Sequence, residues 1–203
     1  MRSGVILAGG SGSRLGREKS LLHICGKPLI QLIVKKLFRV VDEVVIVTRN
    51  DEQVDVLRKL VPEAHFVCDC ISGYGPVAGL AAGMACTKGD YAFASGCDLP
   101  FLSVPVIDKL FELAVGYDAA VPVQPEGYMD TLHSVYRREK MRLACERAIA
   151  RGERKISAPL RELQLNLVSV EVLRPLDPEL MTFFNVNTRE DLKAALKLCR
   201  DDY

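Results

Sequence analysis

Short apolar runs recur along the chain, each followed by a stretch whose apolar positions fall three or four apart. Residues 5–8 are such a run, closed by Gly9 and Gly10, and their continuous hydrophobicity predicts a buried strand. After Pro28, Leu29, Leu32, Ile33 and Leu37 recur at helical spacing, with Lys35, Lys36 and Arg39 between them. Glu43–Thr48 reads as a second strand. Asn50 and Asp51 are candidate caps for a helix carrying Val54, Leu57 and Leu60, and residues 64–68 form a third strand. The loop DCISGYGP leads into a helix of small residues, VAGLAAGMAC. YAFASGCDLP reads as a strand ending at an aspartate, residues 105–113 as a helix with Ser103 as its cap, and Ala119–Val123 as a strand. After Gln124 the pattern loosens: TLHSVYRR is a strand in a different setting, MRLACERAIARG a helix ending at Gly152, LNLVSVEVL a strand, and 189–200 a closing helix. Strands alternating with helices predict an α/β fold with a doubly wound, mainly parallel sheet in three α/β/α layers. No repeat or linker interrupts it, so residues 1–203 are read as one domain with halves at 1–123 and 124–203.

Composition changes this picture little. The charged fraction is 26% and the net charge +1, which favours neither nucleic acid nor an anionic membrane as a partner. No apolar segment approaches the roughly 20 residues of a membrane span, and Met1-Arg2-Ser3 passes directly into the first strand, so a cytoplasmic protein without a leader is expected. The seven cysteines include no C-x-x-C pair and are read as mostly reduced, buried small hydrophobes. His23, His65 and His133 show no metal-binding spacing.

Candidate chemistry gathers where strands end, because ligand crevices of such sheets lie at the strand C-termini. The loop GGSGSRLGREK offers glycines for close backbone approach and the cations Arg14, Arg17 and Lys19, a combination suited to a phosphate-bearing ligand. Its spacing fits neither G-x-G-x-x-G nor G-x-x-x-x-G-K-[ST]. Asp98, at the end of an apolar strand, suits a Mg²⁺ shared with phosphates; a helix cap is the bland alternative. Asn185 and Asn187 share a face of an extended segment and could ligate Mg²⁺ or bind a phosphate, with Asn187 the second metal-side candidate.

LAGG-x-x-x-R-x-G-x-x-K followed by GKPLI resembles the signature loop of the nucleotidyltransferases, and with GPVAGLAAGM, CDLPFL, LHSVYRR, GERK and FFNVNTREDL the chain resembles the molybdenum cofactor guanylyltransferases. The resemblance implies a Rossmann-like nucleotidyltransferase fold, a nucleotide-binding first half and an acceptor-binding second half. It implies transfer of GMP from GTP to molybdopterin or its molybdenum-bearing form, with Mg²⁺ as cofactor, pyrophosphate as product, and other cofactor-biosynthesis proteins as partners. It places Leu7, Ala8 and Gly9 against the guanine, Asp69 near the base and ribose, Gly10 and Gly75 elsewhere in the nucleotide site, and Arg14, Lys19 and Asp98 in catalysis. His133, Tyr136, Arg137, Arg154, Asn185 and Asn187 fall in acceptor regions. Thr131-Leu132 and TRND depart from the family pattern at acceptor and ribose contacts. Alternatives are a guanylyl- or cytidylyltransferase with another phosphorylated acceptor, and a non-catalytic nucleotide-binding regulator.

Overall fold

The apolar runs become strands of one sheet, covered on both faces by the amphipathic segments between them. The computed structural model describes residues 1–9, 18–69, 71 and 73–201. β1 (Arg2–Leu7) leads through a small hairpin, β2 (His23–Ile24) and β3 (Lys27–Pro28), into α1 (Leu29–Leu37). Then follow β4 (Glu43–Thr48), α2 (Asp51–Arg58), β5 (His65–Cys68), α3 (Pro76–Cys86), β6 (Tyr91–Gly96), α4 (Val104–Ala114) and β7 (Ala119–Val123). β8 (His133–Arg137), α5 (Arg138–Ala150), α6 (Ser157–Leu160), β9 (Leu165–Ser169), α7 (Val170–Leu173) and α8 (Arg189–Asp201) complete the order. The seven-stranded sheet runs β5-β4-β1-β6-β8-β7-β9. Its pairings are parallel except those that β8 makes with β6 and β7.

Alternation along each strand divides the core. Ile6, Ile46, Phe93, Ala120 and Val135 face α1, α4 and α8. Val5, Val47, Ala92, Ala94, Ala119 and Tyr136 face α3 and α5. Small residues in α3 bring it hard against the sheet: a Cβ on Gly83 would lie 2.5 Å from Val5 Cγ1 and 3.0 Å from Val47 Cγ2. Asn50 caps α2, its side chain accepting from Gln53 N. Ser103 occupies the cap position of α4, but its side chain makes no capping bond.

Three features depart from the sequence-based expectation. The run LNLVSVEVL is not one strand: at Ser169 the side chain accepts from Glu171 N and turns the chain into α7. The hairpin β2–β3 turns on Cys25 and Gly26, both at positive φ (50° and 74°), a two-residue turn with too few flanking residues to show periodicity. Cys25 and Cys199 form a disulfide, so these two depart from the mostly reduced reading of the seven cysteines. A sequence separation of 174 hides such a pair until the hairpin is seen against α8. In the loop-entropy picture a closure of this length restricts the unfolded chain by about 5 kcal/mol. Cys97 and Cys145 remain buried thiols, as expected, and burial pushes both up to about 12, with Asp98 adding to the rise at Cys97 and Glu146 to that at Cys145.

Candidate active site

The C-terminal ends of β1, β4, β5 and β6 open on one cleft of about 520 Å³, and the reversal of β8 brings Leu132, just before its first residue, to the same place. Leu7, Gly9, Lys19, Asp69, Gly75 and Asp98 line this cleft, as does Arg49. Gly10 and Arg14 lie outside the described residues.

At the cleft's centre Lys19 Nζ donates to Asp98 Oδ2 at 2.9 Å and to Asn187 Oδ1 at 2.5 Å. Three segments far apart in sequence therefore meet on one ammonium, with the Lys19 and Asp98 side chains 22% and 21% exposed. Each is placed by local structure. Lys19 opens a 3₁₀ turn, Lys19–Leu21, closed by the bond from Leu22 N to Lys19 O. Asp98 follows β6, where the absence of a side chain at Gly96 makes its room: a Cβ there would lie 2.5 Å from Asp98 Oδ1. Asp98 O accepts from Val186 N at 2.9 Å, which fastens the Asn185–Asn187 segment beside it. Asn187 N and Thr188 N both donate to Asp191 Oδ2, and Asp191 N donates back to Thr188 Oγ1. This capping box at the start of α8 holds Asn187 in place, and its backbone donors hold the Asp191 carboxyl below the usual range.

Asp98 and Asn187 thus present two side-chain oxygens to one cation. This is a hard-oxygen seat of the kind divalent ions take when phosphates supply further ligands. No group of three or more His, Cys, Asp or Glu side chains among the described residues could hold a metal on its own. An ion in this cleft would therefore be shared with its substrate.

Around this centre, Asp69 Oδ1 accepts from Ile71 N at 3.0 Å. Gly75, at φ 52° and ψ −130°, adopts a conformation that strongly favours glycine, and it starts α3 at the cleft wall. With Pro76 at the first helical position, the N-terminus of α3 faces the cleft, a setting favourable to anions. The guanidinium of Arg154 lies 5.8 Å from the centroid of the Tyr74 ring, on the loop that carries Gly73 and Gly75. Asn185 is exposed, and its Nδ2 donates to Phe183 O.

Four expected contacts are corrected. Ala8 does not present its backbone to the cleft: its N–H donates to Val47 O and its carbonyl accepts from Gln53 Nε2, while the methyl is buried in the core. His133 is 1% exposed, packed against Phe93 and Phe183, with Nε2 3.1 Å from Thr182 Oγ1. Tyr136 is fully buried and its hydroxyl donates to Thr131 O. Arg137 pairs with Tyr91, at the sheet end opposite the cleft, because β8 runs backwards. Strand direction and burial, neither visible in a motif, decide all three residues of β8.

Sequence reasoning also missed Arg49, Gln53 and Glu18. Arg49 follows the end of β4 and could have been found by applying the strand-end rule to every strand. Gln53 reads as an ordinary polar residue of an exposed helix, and only the fold shows it buried.

Burial pushes the His133 imidazole down to about 3, and its Nδ1 has no hydrogen-bond partner among the described residues. The unfolded imidazole titrates near 6.5, so the unfolded state binds more protons between pH 6.5 and about 3. Stability from this residue is complete above that window and is lost as pH falls. Between pH 7 and pH 5 the loss is about 2 kcal/mol. Urea unfolding should therefore show wild type losing about that much more than His133→Gln over this interval. Equal losses would exclude the buried neutral imidazole as the cause.

Residues 4–166 match the MobA-like NTP transferase domain. A protein of Methanosarcina mazei named probable molybdenum cofactor guanylyltransferase is 39% identical over 200 residues, covering 95% of this chain and 88% of its own length. The molybdenum cofactor guanylyltransferase of Desulfosudis oleivorans is 33% identical, covering 95% and 93%. Among solved structures, molybdopterin-guanine dinucleotide biosynthesis protein A from Archaeoglobus fulgidus superposes with a TM-score of 0.86 at 34% identity, covering 98% of this chain and 99% of that one. A crevice at parallel strand ends, a lysine seated between a carboxylate and an amide, and this likeness over nearly the whole length agree: the chain belongs to the MobA-like NTP transferase family, among the molybdenum cofactor guanylyltransferases.

Proposed function

We propose that this cleft transfers GMP from GTP to the phosphate of molybdopterin or its molybdenum-bearing form. The observation that carries the chemistry is the meeting of Lys19, Asp98 and Asn187 at the strand ends. An oxygen of the acceptor phosphate attacks the α-phosphorus, the bond to the β-phosphate breaks, and pyrophosphate leaves with the electron pair. No side-chain nucleophile is needed, so the protein's work is placement and charge stabilisation.

In this reading the backbone at Leu7 and Gly9 and the loop at Gly75 face the guanine and ribose, and the Asp69 carboxylate accepts hydrogen bonds from their donors. Asp98 and Asn187 would hold Mg²⁺ together with the triphosphate, and that ion would neutralise charge developing on the phosphates. Lys19, now between those two oxygens, would move its ammonium to the triphosphate as GTP enters. Arg154 and Asn185 are the exposed acceptor-side candidates that remain, since Arg137, also exposed, stands at the opposite sheet end.

The test is pyrophosphate release by purified protein given Mg²⁺, each NTP in turn, and molybdopterin. GTP should support transfer at least about tenfold better than CTP, a difference of about 1.4 kcal/mol that one or two base-edge hydrogen bonds supply. Release independent of molybdopterin, or CTP equal to GTP at matched concentrations, would overturn the reading.

A further inference from the structure

Gln53 lies in the first turn of α2, yet it is 3% exposed and commits its side-chain amide to three separate pieces of the cleft wall. Its Nε2 donates to Ala8 O at 3.0 Å and to Glu18 Oε1, and its Oε1 accepts from Arg49 N at 3.0 Å. Its own backbone N–H is fixed by Asn50 Oδ1 at 3.1 Å. Glu18, the residue before Lys19, is gripped further by Ser20 Oγ at 3.1 Å and faces Arg49 Nη2 at 3.5 Å. An amide has two N–H donors and one carbonyl acceptor. Here it meets a strand-end carbonyl, a carboxylate and a backbone N–H at once. No other side chain of this length can donate twice and accept once in that arrangement.

We propose that Gln53 is a positioning residue that acts through Glu18 to set where Lys19 stands against Asp98 and the triphosphate. It never touches the reacting atoms. It ties the strand that begins the nucleotide wall to the residue that delivers the lysine, so that the ammonium starts from one fixed place. The inference rests on the assignment of Lys19 to the triphosphate.

A double-mutant cycle tests it, with kcat for pyrophosphate release from Mg²⁺, GTP and molybdopterin as readout. Gln53→Met should lower kcat by on the order of 10²-fold in an otherwise wild-type chain, the scale of an ångström-sized misplacement. In a Lys19→Ala background the same change should cost less than about threefold, because the group it positions is gone. Equal costs in the two backgrounds would overturn the proposal and leave Gln53 a structural residue. If Lys19→Ala is itself fully active, the assignment of Lys19 fails, and the proposal with it, on the lysine measurement alone. A second arm guards against a Gln53→Met chain that does not fold. Gln53→Glu sets two carboxylates together, whereas Gln53→Glu combined with Glu18→Gln restores one amide facing one carboxylate. The combined variant should recover part of the kcat lost by Gln53→Glu, because the contact to residue 18 returns while Ala8 O still lacks its donor, and no recovery in a folded chain would overturn action through Glu18.

Discussion

Asp98→Ala is expected to keep the secondary structure of the wild type and to lose Mg²⁺-dependent pyrophosphate release by on the order of 10³-fold. Asp98 sits beyond the end of β6 with its carboxylate partly open to the cleft, and its backbone carbonyl holds Val186 N whatever the side chain is. The fold therefore retains its stitch between β6 and the segment before α8, while the seat for a cation loses its only charged oxygen, since Asn187 offers a neutral one. Losing a metal site removes several kcal/mol of charge stabilisation in the transition state. Asp98→Asn keeps the shape and should fall nearly as far, because charge rather than volume is the lost quantity. Circular dichroism together with a Mg²⁺ titration of turnover checks both variants. Near-normal Mg²⁺-dependent release by Asp98→Ala would remove Asp98 from the metal site.

Lys19→Ala should keep a near-normal melting temperature without ligand and lose kcat by on the order of 10²–10³. Its ion pair with Asp98 is partly exposed, so its contribution to folding is small, and removing the lysine leaves the carboxylate solvent-accessible rather than stranded in the core. The same ammonium, moved to the triphosphate, would meet charge that grows as pyrophosphate departs, and that is stabilisation of the transition state. A rise in KM with kcat intact would restrict Lys19 to ground-state binding of GTP. A large fall in ligand-free stability would assign it to the fold.

How much of this was legible in the sequence differs from residue to residue for physical reasons. The strand–helix alternation was readable because continuous apolar runs and helical spacing are local signals: Glu43–Thr48 and Ala119–Val123 have the bounds expected of them. Lys19, Asp98 and Asn187 stand out in the sequence as candidates because each lies in a motif, although the bonds that bring them together across separations of 79 and 168 residues belong only to the fold. His133, Tyr136 and Arg137 were misplaced because a motif carries no strand direction, and one reversed strand buries the first two and turns the third away. Ala8 was misread because its backbone groups have partners from β4 and α2 that no local pattern names. The Cys25–Cys199 bond and the Gln53 hub are purely tertiary, since each depends on which helix end lies against which loop.

The single reversed strand also separates two design problems. Because β8 starts at the crevice and ends at the far edge, the loop that brings the chain to it, residues 124–132, reaches the crevice without belonging to any of the strands that frame the rest of it. Leu132 is its contribution to the cleft. Changes in that loop can reshape one wall while β1, β4, β5 and β6 keep their register. The architecture is in that sense modular: the part of the crevice that Leu132 lines can change while the strands that frame the rest stay as they are.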